Sequence, residues 1–129
     1  MKIKKSAQII SFICLILFVI VFWECVGTDY GTSEIFTKKE IKSAIDKVKE
    51  NFNDFDGCKV LSLSYAGDDK SIEELKYWNN YDEIIVINSV FLSPIIKKNH
   101  WSPFEIYTWK FILAKNNYNS WEIISCGYG

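Results

Sequence analysis

A chain of 129 residues with 24% charged, 49% hydrophobic and 16% aromatic side chains has the balance of one packed domain, which excludes a disordered chain and leaves no room for two independent cores. All 15 basic residues are Lys, and from Thr28 onward 12 Lys face 15 Asp and Glu, a net charge of −3 with no basic stripe. A phosphate backbone needs such a stripe, so nucleic acid is excluded as an expected partner.

At the N-terminus, Lys2, Lys4 and Lys5 precede residues 6–23, which carry no charge, and residues 12–23 are apolar without a break. As a helix the uncharged stretch spans about 27 Å, close to the hydrocarbon thickness of a bilayer. The expectation is a membrane partner: residues 1–27 form an anchor or signal segment, with the N-terminus cytoplasmic and the C-terminal domain extracytoplasmic by the positive-inside rule. A retained anchor is the leading reading; cleavage between Gly27 and Thr28, giving a secreted chain, and lipidation at Cys25 are the alternatives. Residues 28–34 read as a polar tether before the domain of residues 35–129.

Thr37 and Glu40 form a capping box, and Phe36 ahead of the cap pairs with Ile41 as a hydrophobic staple, so a helix starts here. Ile41, Ala44, Ile45, Val48 and Phe52 keep one face apolar, and the Asn, Asp and Gly residues of 53–57 end the helix. Residues 58–66 alternate as a half-buried strand, Gly67-Asp68-Asp69 breaks it, and Ser71 with Glu74 reads as a second capping box for a short helix to Trp78. Residues 83–92 are β-branched and apolar on both faces, as in a strand covered from two sides. Residues 104–115 alternate, with Tyr107, Trp109, Phe111 and Leu113 opposite Ile106, Thr108, Lys110 and Ile112. Residues 116–119 turn, since Asn accepts positive φ, and residues 120–126 form the last strand. The expected fold is α+β: an N-terminal transmembrane or signal helix, then one long helix packed on a curved antiparallel four-stranded sheet.

The chain resembles small exported proteins of Gram-positive bacteria with a cystatin-like or NTF2-like curved sheet. Gly57-Cys58 followed by Leu61, Leu63 and Tyr65, then Trp109, Leu113 and Lys115, then Trp121, and finally Gly127-Tyr128-Gly129 carry the resemblance. It implies a curved sheet that can shelter a pocket, a likeness at the level of fold.

No catalytic residue and no cofactor or metal is assigned. His100 is the single His, so any Ser/His/Asp or Cys/His arrangement would depend on it alone, and a His-rich metal site is excluded. Asp68, Asp69, Glu73 and Glu74 lack the ligand spacing of a Ca²⁺ loop and read as a solvated turn and helix start. Tyr65, Tyr107, Trp109, Phe111 and Trp121 are candidate ligand-binding residues if the curved sheet leaves an aromatic-lined cavity; core filling is the stronger reading. Ile95, Ile96 and Trp101, on the connection after Pro94, are candidate contacts for a partner. Cys58 and Cys126 are a candidate disulfide, against which stands a meander that would put their strands at opposite sheet edges.

The expected function is a noncatalytic cell-envelope module that binds a protein partner or a small apolar ligand outside the membrane. A structural subunit of a membrane-associated assembly and an exported hydrolase using paired carboxylates are the alternatives.

Overall fold

In a computed structural model, which describes residues 2–24, 27–55, 57–95 and 102–128, the order of elements is α1 (Lys2–Glu24), β1 (Gly27–Asp29), α2 (Lys38–Asn51), a 3-10 turn (Phe52–Asp54), β2 (Lys59–Tyr65), α3 (Asp68–Tyr77), β3 (Ile84–Leu92), β4 (Ile106–Lys115) and β5 (Trp121–Gly127). The strands form one five-stranded sheet in sequence order, with β1 parallel to β2 and every other pair antiparallel. The α+β class stands, while the four-stranded antiparallel sheet under one long helix is corrected to a mixed five-stranded sheet with three helices. The added strand comes from the start of the expected tether and the residue before it: Gly27, Thr28 and Asp29 pair with Ser62, Leu63 and Ser64. An unpaired β2 edge offers backbone donors and acceptors that any extended segment can satisfy, whatever its side chains.

The N-terminal segment is one helix, but among the described residues no helix is long and apolar enough to cross a membrane. The side chains described in α1 are those of residues 5–19. Lys5, Ser6 and Gln8 place polar groups in its first turns. The single-pass anchor, the signal segment, the cytoplasmic and extracytoplasmic placement and the secreted alternative are therefore withdrawn. The apolar side chains of α1 between Ile9 and Val19 are exposed rather than packed on the sheet.

Helix α2 begins as its sequence dictates. Thr37 accepts from the Glu40 amide at 3.2 Å, and the Glu40 side chain accepts from the Thr37 amide at 3.3 Å. The buried face of Ile41, Ala44, Ile45 and Val48 lies on Leu63, Ile85, Ile87, Phe111 and Leu113, and Phe36, Phe52 and Trp121 seal the ends. Helix α3 starts earlier than its sequence suggests. Gly67 caps it at φ 104°, and no side chain makes the cap bond. Ser71 is thus inside the helix, 2% exposed, with its hydroxyl 3.3 Å from the Tyr65 hydroxyl. Against the other sheet face α3 sets Leu75 and Trp78 over Ile84, Val86 and Ala114, with Ile112 and Ile124 at the margin. Strand β3 is therefore covered on both faces in its first half, whereas Asn88 in its second half is exposed.

Candidate functional site

The five aromatic residues singled out as a cavity lining all join the core under α2. Phe111, Trp121 and Tyr65 are 0%, 5% and 8% exposed, so their rings are packed mainly against protein atoms. Tyr107 stacks on Phe91 at 5.6 Å, and Trp109 meets Phe91 and Phe55 edge-on at 5.4 and 5.8 Å. These are the offset and edge-to-face geometries that aromatic quadrupoles favour. A groove of about 530 Å³ does exist between α2 and β5, and Trp121 forms part of its wall, but Lys39, Glu40, Asp46, Lys47 and Lys115 dominate the lining, which suits water better than an apolar ligand.

At the α2 N-terminus, Lys115 is the hub of a charged group. Its Nζ lies 3.3 Å from Glu40 Oε2, 3.5 Å from Glu83 Oε2 and 5.1 Å from the centre of the Trp121 ring, and Trp121 Nε1 donates to the Glu40 carbonyl at 3.2 Å. Partial burial pushes the Glu40 carboxyl up, yet the Thr37 amide, Lys115 and the Thr37 hydroxyl outweigh it and hold the group below its ordinary value of 4.5. A carboxylate pair built for general acid catalysis needs the opposite, one member raised toward neutrality.

The acidic residues at the start of α3 divide. Asp68 accepts from Ser33 Oγ at 2.6 Å, from the Glu34 amide at 2.8 Å and from Tyr65 Oη at 2.5 Å. Those donors lower its pKa, in the order Ser33, Tyr65, Glu34. Burial, and then Asp68 itself, push the Tyr65 phenol up. Glu73 meets Lys70 at 3.3 Å on the surface. Among the described residues no group of three or more His, Cys, Asp and Glu could hold a metal ion.

Cys58 precedes β2 and Cys126 lies on β5, with β3 and β4 between them. At a strand spacing of nearly 5 Å that is about 14 Å, twice the reach of a disulfide, and both cysteines are thiols. Partial burial raises the Cys126 pKa.

The far end of the β3–β4 hairpin differs from both charged regions. Ile95, the one described residue of the expected partner-contact set, is 73% exposed; Ile96, Trp101 and His100 lie outside the described residues. Beside it Phe104 is 59% and Ile106 67% exposed. The Phe104 amide donates to the Pro94 carbonyl at 2.8 Å, and Ser93 Oγ accepts from the Glu105 amide at 2.7 Å, which ties the two arms together. Phe104 itself holds φ 50°, a conformation rare for a bulky side chain. Tyr128, 74% exposed, lies apart from these, making a 6.0 Å edge contact with Trp109 on the α2 face of the sheet.

The sequence marks Ile95 but gives no sign of Phe104, which reads as the first residue of a strand; only the left-handed turn at that position frees its ring. No family model, curated protein or solved structure matches the chain.

Proposed function

We propose that this domain is a noncatalytic binding module that engages a protein partner through the exposed apolar end of its β3–β4 hairpin. The observation that carries the reading is the group of Ile95, Phe104 and Ile106, three large apolar side chains each more than half exposed on two chain arms that hydrogen bonds hold together. Clustered exposed apolar groups mark contact surfaces, and Phe104 in a strained backbone conformation presents an aromatic anchor at little further entropic cost. The small apolar ligand loses support because the aromatic residues that would receive it are filled core.

The titration behaviour of the described groups points the same way. Glu40 and Asp68 are lowered, whereas Lys42, Tyr65 and Cys126 are raised. Each shift deepens the form already dominant at neutral pH, so it supplies neither a poised acid nor an activated nucleophile.

The test is a photocrosslinking amino acid placed at Phe104, at Ile106 and, as a control, at exposed Lys49 in cells that make the protein. A discrete protein adduct from the first two positions and not from the third is expected. Equal yields at all three positions, or no adduct at any, would overturn the reading.

A further inference from the structure

The segment between α1 and α2 reads in the sequence as a plain polar tether, yet it is stitched to the domain at two places. The first is β1, three residues long and exposed throughout, paired along the β2 edge. The second is the Asp68 carboxylate, which reaches from the first turn of α3 to take hydrogen bonds from Ser33 Oγ and the Glu34 amide, residues 35 and 34 positions away in the chain. The same Ser33 Oγ accepts from the amides of Ile35 at 3.0 Å and Phe36 at 2.9 Å. One carboxylate thereby orients the hydroxyl that shapes the turn into α2.

The two ends of this segment are held very differently. Phe36 is 7% exposed and meets Tyr65 and Trp121 edge-on at 6.1 and 5.7 Å, so the chain is fixed in the core from that residue on. Before it, Tyr30 packs at the core margin under a cation–π contact with Lys38 at 5.3 Å, while the three β1 residues bury little. Short exposed edge pairing is the kind of structure that opens locally at low free-energy cost, whereas charge-assisted hydrogen bonds from two elements to one carboxylate resist opening.

We propose that residues 27–34 form a latched strap with two states, docked along β2 and released, and that Asp68 is the latch that favours the docked state. In the docked state α1 leaves the domain at the β2 edge. In the released state the eight residues can extend up to about 26 Å, so α1 stands off from a domain whose core is unchanged and the β2 edge becomes open to another extended strand.

Hydrogen exchange on the full chain tests the latch. Asp68→Asn keeps the shape of the side chain but loses its charge and replaces one acceptor oxygen with a donor. The amides of Thr28, Asp29, Glu34 and Phe36 are expected to exchange about tenfold faster, while those of Ile85, Ile87 and Phe111 keep the wild-type rate. Unchanged strap amides would overturn the proposal. So would an equal acceleration in β3 and β4, since Asp68 would then support the whole fold and not the strap. Should Asp68→Asn fail to fold, Ser33→Ala removes one donor to Asp68 together with the acceptor of the Ile35 and Phe36 amides, so the β1 amides are the readout and are expected to exchange faster by a smaller factor; no change in them overturns the latch.

Discussion

The two faces of the sheet carry the same kind of load in opposite ways. On one, a 14-residue helix closes a core that runs from Phe36 to Phe91. On the other, a 10-residue helix covers only the end at Ile84, Val86 and Ala114 and leaves Asn88 and Thr108 in water. A closed face holds the fold, and the groove that remains on it is lined mainly by charged side chains. On the proposed reading, recognition falls to the open end of the hairpin, where apolar side chains are exposed, and not to the aromatic face that the sequence makes conspicuous.

Substitutions break this comparison from strong to weak. Phe111→Ala, on the closed face at 0% exposure, is expected to cost about 3–5 kcal/mol by transfer and cavity effects, read as the urea midpoint. Lys115→Met should cost roughly 1–3 kcal/mol, because Glu40 and Glu83 lose the cation between them and Trp121 loses its cation–π contact. Thermal unfolding of Lys115→Met at neutral pH reads that loss, and titration of Glu40 should move upward in the same variant. On the second face Ile84→Val should cost about 0.5–1.5 kcal/mol. Thr108→Ala, on the exposed stretch, should stay within about 0.5 kcal/mol; a loss like that of Phe111→Ala would mean that the second face is closed as well.

The pH dependence sharpens the same picture. Asp68 and Glu40 have folded-state pKa values below their ordinary values of 3.8 and 4.5. The unfolded chain therefore binds protons first as pH falls. Their stabilisation is fully present above those ordinary values and is lost as pH drops through them to the lower folded values. Denaturation midpoints should fall on acidification below about pH 4.5, and the double variant Asp68→Asn with Glu40→Gln should flatten that fall.

How much of this could be seen in the sequence follows from the range of each signal. The α2 start was legible because a capping box is local: Thr37 and Glu40 are three residues apart and satisfy one another. The strand parity of residues 107–113 was legible because alternation survives any tertiary context, and the turn was legible because Asn119 takes φ 61° at low cost. The β1 strand was not, since Gly-Thr-Asp has no alternation and its pairing depends on the vacant β2 edge. Ser71 looked like a cap because of Glu74, but Gly67 takes the turn and the Ser71 hydroxyl goes to Tyr65. The apolar run of α1 was overread, because hydropathy along a line does not establish a span. The aromatic set was legible as a face; whether that face was filled or hollow depended on α2 and Phe55, far away in the chain.

The α2 face is packed and the hairpin end is the open apolar surface. Titration of a small apolar probe, followed through the aromatic and methyl resonances of the folded protein, tests this division directly. Shifts confined to Ile95, Phe104 and Ile106 are expected. Saturable shifts at Leu63, Phe111, Leu113 and Trp121 would reveal a cavity beneath α2 and contradict it.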